Sequence, residues 1–221
     1  MRKIISCLFM SFCCFSAEAQ FVDVSVGDII DINGIKGIVY ETDGTGEHGK
    51  AMTIKCLRGV GDSWCSDKKL AKNMPEISDR EDGLVNTNAV IEYAKANKAL
   101  DKFPIFKWCM DLGEGWYVPS LKELEAFVNF WLGNEQEFDW DSEEDFESEI
   151  DESKPYYKQI NNKMLDAGGT PFLNGVYTST VNEDDKVYVF WYNRNKNTWA
   201  FKKRSKDNLA KFFVGRAFYR F

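Results

Sequence analysis

The chain has almost no histidine. His48 is the single one among 221 residues, and it stands in a polar turn between Glu47 and Gly49. No C-x-x-C and no H-x-x-x-H spacing occurs, so a zinc site of the usual Cys/His kind is not written into the sequence. A serine hydrolase needs a base beside its nucleophile. No G-x-S-x-G surrounds any serine, and His48 is distant from Ser179. The glycine-rich run Asp43 to Lys50 lacks the Lys-Ser/Thr pair and following helix of a phosphate-binding loop, and reads as a turn. Positive charge is also scarce: 28 Lys and Arg against 35 Asp and Glu give a net charge of −7. That balance excludes nonspecific nucleic-acid binding, which needs clustered cations. Past the first 15 residues no apolar run is long enough to span a bilayer, and no solenoid-length repeat is present.

What the chain does have begins with Met1-Arg2-Lys3, an apolar stretch to Phe15, and Ala17-Glu18-Ala19. This is the pattern of a secretory signal cut before Gln20. It predicts an exported protein: periplasmic, secreted or on the surface of a bacterium. Bulky Phe12 beside Cys13 is a poor match to a lipidation site. Outside this segment three cysteines remain, Cys56, Cys65 and Cys109. The odd number permits one disulfide, with Cys56–Cys65 the local pair, or three small buried hydrophobes.

Residues 20–80 read as a β-rich leader. Alternating Val22, Val24 and Val26, then Ile29 to Ile32, Asn33-Gly34 and Ile35 to Tyr40, give a hairpin signal. Another strand is expected over Ala51–Leu57, and an irregular segment over 63–75. A helix of about 12 residues follows Thr87, with Ala89, Val90, Tyr93 and Ala94 on its apolar side. Phe103–Met110 reads as a helix or a strand edge. Ser120 and Glu123 have capping-box spacing, and Leu121, Leu124, Phe127, Val128 and Trp131 recur at helical period. The acidic run 135–152 has no glycine for a calcium loop and reads as a solvated mobile insertion. A third helix is expected over Tyr156–Ala167, stopped by Gly168-Gly169. From Leu173 on the pattern is β again.

Four stretches resemble a secreted bacterial family of C-type-lectin-like domains, which includes the "major paralogous" secreted domains and the C-terminal domain of a collagen-like adhesin. They are Trp108-Cys109, Gly115-Trp116-Tyr117-Val118-Pro119-Ser120 with Glu123-Leu124, Tyr177-Thr178-Ser179-Thr180, and Val214 to Phe221. Gly37-Ile38-Val39, Gly49-Lys50 and Trp64 are similar to the leader that often precedes such domains. The resemblance covers roughly residues 85–221. It implies an α+β, C-type-lectin-like fold: two main helices and a small twisted antiparallel sheet over 81–221, preceded by the β-rich segment. Thr178 stands where the family usually has Trp. The Glu-Pro-Asn, Gln-Pro-Asp and Trp-Asn-Asp motifs of calcium-dependent lectins are absent, so that activity does not carry over.

The expected function is therefore a surface-exposed, non-catalytic binding module for an extracellular glycan or protein, with no cofactor, metal, nucleic acid or membrane span. Trp191, Tyr192, Arg194, Asn195, Asn197 and Trp199 cluster around one hairpin, and rings with amide and guanidinium donors suit such recognition. Alternation along a strand sends half of them inward. An enzyme of unknown class and a structural part of the envelope are the alternatives. Tyr219-Arg220-Phe221 resembles the end of an outer-membrane barrel, but one strand cannot close a barrel.

Overall fold

The computed structural model describes residues 23–57, 63–136, 138, 140, 146–151, 153, 156–172, 175–193, 195–207 and 213–221. The signal segment and Arg194 lie outside the described residues. The fold is α+β, with two five-stranded sheets and five α-helices among the described residues.

The first sheet has the order β1-β2-β3-β10-β4. Its leader strands are β1 (Ile29–Ile32), β2 (Ile35–Thr42) and β3 (Gly49–Thr53). β1 and β2 join through Asn33-Gly34, both at positive φ, which is the hairpin turn expected. β10 (Phe218–Arg220) comes from the chain end, and pairs with β3 on one side and with β4 (Trp116–Tyr117) on the other. The boundary expected near residue 80 thus runs through a shared sheet. The second sheet, order β5-β8-β7-β6-β9, holds β5 (Phe146–Glu149), β6 (Gly175–Val181), β7 (Lys186–Asn193), β8 (Thr198–Ser205) and β9 (Phe213–Val214). All its pairings are antiparallel except β6 with β9.

Both sheets are buried on both faces. Ile38, Tyr40, Phe190 and Phe218 point into one core, while their chain neighbours Val39, Val189 and Ala217 point into the other. Period-2 alternation of apolar residues on both sides requires cover on both faces. Helices α2 (Gly83–Ala96) and α3 (Pro104–Leu112) cover one face through Val90, Ala94, Phe106 and Cys109, joined by Phe103 just before α3, with short α1 (Lys68–Lys72) inside the segment expected to be irregular. Helices α4 (Leu121–Leu132) and α5 (Tyr156–Asp166) cover the other. Trp116 is 4% exposed and packs in the core under α2 and α3, with Val39 and Val189, against Tyr219.

The start of α4 is where the layers are fastened. The capping box forms: Ser120 Oγ accepts from Glu123 N, and Glu123 Oε2 accepts from Ser120 N at 3.0 Å. Two further orphan N–H groups of the first turn go elsewhere, Leu121 N to Thr180 Oγ1 and Lys122 N to the Arg80 carbonyl. The polar run Thr178-Ser179-Thr180 is fully buried because each hydroxyl has work: they donate to the carbonyls of Tyr188, Pro119 and Asp79. Helix α2 is capped by Asp82 and begins at Gly83, where a Cβ would overlap Ser120 N, the Val118 carbonyl and Glu123 Oε2. The two helix starts approach that closely only with glycine there.

The described part of the acidic run departs from expectation, while 137, 139, 141–145 and 152 lie outside the described residues. Phe138, Trp140 and Ile150 are buried in the aromatic core, Trp140 donates to Glu125 at 2.7 Å, and β5 pairs along β8. The interspersed aromatics account for this, because each contributes more by burial than a solvated loop could recover. Two of the three cysteines take the buried reading, and Cys56 is only part-buried. Cys65 and Cys109 are free thiols in the interior, so no Cys56–Cys65 disulfide forms.

Candidate ligand-binding site

Of the hairpin residues singled out from sequence, the described ones, which leave out Arg194, do not converge on one surface. Trp199 is 1% exposed and lies among Phe138, Phe146, Phe190 and Phe201. Tyr192 is nearly as buried, packs on Trp131, and donates its hydroxyl to Asn197 Oδ1. Asn197, at positive φ, donates to the Ile150 carbonyl. Trp191 lies on the opposite strand face, partly buried against the other core. Asn195 alone of the described members is exposed at the turn. Strand alternation separates the rings, and the fit of β5 onto β8 covers the inward ones.

The candidate catalytic groups are also committed. Ser179 is buried and donates to the Pro119 carbonyl, while His48 is exposed in the turn after β2. Burial pushes the Cys65 and Cys109 thiols up, away from the thiolate that nucleophilic chemistry needs. Glu123, 2% exposed, looks like an isolated acid but is saturated. Oε1 accepts from the Tyr117 hydroxyl at 2.8 Å and from Arg220 Nη2 at 2.7 Å, and Oε2 from Ser120 N and Gly83 N. Burial, reinforced by this carboxylate, pushes the Tyr117 phenol up and keeps it a neutral donor. No cluster of three or more His, Cys, Asp or Glu suited to a metal occurs among the described residues.

A more open site lies on the α4–α5 side. A shallow groove of about 920 Å³ is lined by Val26, Phe130 and Tyr156, with Asn129, Asn134 and Gln159 among the polar groups at its wall. Val26 and Tyr156 are two of the few large apolar side chains exposed to solvent. The Tyr156 and Phe130 rings meet edge to face, 6.0 Å apart. Gly133 ends α4 in the left-handed conformation, and a Cβ there would come within 2.9 Å of the Tyr156 ring. Helix termination and ring placement therefore depend on the same glycine. Asn129 secures the loop behind it, donating to the Gln136 carbonyl and accepting from Gln136 N.

Sequence reasoning missed this groove. The Tyr156-Tyr157 pair at a helix start carried a signal, since adjacent helical positions cannot both face inward. Tyr157 is buried against Trp131 and Tyr156 is left outside. That Val26 and α4 flank it is decided by tertiary packing alone.

No helix among the described residues is long and apolar enough to cross a membrane. The sequence matches no protein-family model and no curated protein. Among solved structures, a fimbrial protein from Bacteroides ovatus is similar at 18% identity and a TM-score of 0.46, over 81% of this chain and 37% of that one. The chain spans little more than a third of that protein's length, and a likeness at this level identifies no family.

Proposed function

We propose that the protein is an exported, non-catalytic recognition module of C-type-lectin-like fold, and that its ligand is a glycan bound in the Tyr156 groove. The observation that carries the reading is an exposed ring, seated by Gly133 and Phe130, in a groove that Asn134 and Gln159 also line. A sugar's apolar C–H face stacks on such a ring, and its hydroxyls pair with amides that both donate and accept. The engaged state of Glu123, Ser179 and the buried thiols supports a role without catalysis. The lectin-like assignment draws on the capped helix after the Gly115–Ser120 stretch and on the pairing of the chain end with β4. An experimental structure without that β4–β10 pairing would remove the fold part of the proposal.

The test is binding of the purified protein to a glycan array, followed by titration of any hit. Tyr156→Ala should weaken a hit at least tenfold, about 1.4 kcal/mol, without lowering the melting temperature. Equal binding by wild type and Tyr156→Ala overturns the groove. Loss on Trp191→Ala or Asn195→Ala, with Tyr156→Ala unaffected, moves the site to the hairpin. Retention of host proteins but no glycan replaces the ligand class.

A further inference from the structure

A second concavity lies elsewhere on the molecule, and its charge runs against that of the chain. It is a cleft of about 410 Å³ between the β1–β2 turn, the segment after β3, helix α3 and the end of α5. Ile35, Trp108 and Leu112 give it apolar walls, and Lys36, Lys55 and Cys56 give it polar ones. Among the described residues no Asp or Glu lines it, although the chain holds 35 acidic residues against 28 basic. The backbone ending α5 reaches the same rim, where exposed carbonyls would repel an anion. Lys36 Nζ donates to the Ala167 carbonyl at 3.3 Å and offsets that partial charge. The Cys56 thiol is held at the wall, accepting from Thr170 Oγ1 at 3.3 Å.

We propose that this cleft binds a small hydrophobic carboxylate, its apolar part against Trp108, Ile35 and Leu112 and its carboxylate between Lys36 and Lys55. The volume suits a ligand of small-molecule size, and a lining divided almost evenly between polar and apolar surface suits a ligand that carries both an apolar body and a charged head. Two lysines without a competing carboxylate select a negative head group. The indole wall and the modest size select a compact apolar body over a polymer. The site is separate from the Tyr156 groove and stands whether or not that groove binds glycan.

Cys56 supplies the readout. Cys65 and Cys109 are buried, so among these three thiols maleimide should alkylate Cys56 first, and peptide mass spectrometry locates the label. Saturating octanoate or 4-phenylbutyrate should slow Cys56 alkylation at least fivefold, and octanamide or 4-phenylbutanamide should not. The double variant Lys36→Gln, Lys55→Gln changes only exposed side chains. It should lose carboxylate affinity about tenfold, by titration calorimetry, with its melting temperature retained. Trp108→Phe should keep the fold and weaken 4-phenylbutyrate severalfold. Protection by neither acid, equal protection by acids and amides, or unchanged affinity in the double lysine variant each overturns the proposal.

Discussion

Two buried ionic side chains, Glu123 and Arg216, are each about 2% exposed and are held in opposite ways. Glu123 sits one turn inside α4 and collects backbone N–H groups, a phenol and the guanidinium of Arg220, itself about a third exposed. Arg216 precedes β10 and is held by the carbonyl oxygens of Thr53, Ile54, Thr170 and Pro171 and the hydroxyl of Thr170. A buried charge must recover lost hydration from fixed dipoles or a counter-charge. Glu123 uses both, and half of its shell is local in sequence. Arg216 uses dipoles from two segments far from it along the chain, so its shell exists only once the leader and the α5 exit are in place.

The contrast predicts unequal costs. Arg216→Met should be the most damaging change, because it keeps bulk while several buried carbonyls lose their donor. At roughly 1–3 kcal/mol for each unsatisfied group, with incomplete additivity, about 4 kcal/mol is expected in denaturant unfolding. A loss below about 1 kcal/mol would show that the carbonyls find other donors. Glu123→Gln should cost less, about 2 kcal/mol, since the amide still accepts hydrogen bonds and Arg220 can turn to water. If Glu123→Gln proved the costlier, the ion pair rather than the dipole shell would be holding this corner. Ser120→Ala removes one side of the capping box and should cost about 1 kcal/mol, read as a small drop in melting temperature.

The smallest effect lies at the outer end of the Glu123 network. Burial raises the Asp82 carboxyl, but the Arg220 hydrogen bond and the N–H groups of Val85 and Leu84 outweigh it, so the net shift is downward. A folded-state pKa below the unfolded value gives stability that is present above the ordinary carboxylate range and lost as pH falls through it. Asp82→Asn preserves the cap and removes the charge. The variant should be about 0.5 kcal/mol less stable at pH 7, with the gap closing between about pH 5 and pH 2. A gap that persists at pH 2 would assign the effect to the cap instead of the charge.

The legible parts were those whose causes are neighbours in sequence. The Asn33-Gly34 hairpin, the Ser120–Glu123 box, the apolar period of α4 and the Gly168 stop of α5 all took the predicted form. The helix after residue 81 starts earlier than expected, because Asp82 caps it and Gly83 must pass close to Ser120. The aromatic hairpin misled because composition counts rings without saying which face they take. Strand alternation and the packing of β5 put Trp199 and Tyr192 inside. The acidic run misled in the opposite sense, its carboxylates masking the aromatics that anchor it.

The sequence by itself determined the β1–β2 hairpin, the span and cap of α4 and the stop of α5, since these depend on period, turn residues and contacts within a few positions. Only the tertiary structure decided that β10 lies between β3 and β4, that Arg216 finds its carbonyls, and that a tyrosine-bearing groove and a lysine-lined cleft open on the surface. Those features join segments more than a hundred residues apart. No local preference encodes them, because their free energy is gained only when distant surfaces leave water together.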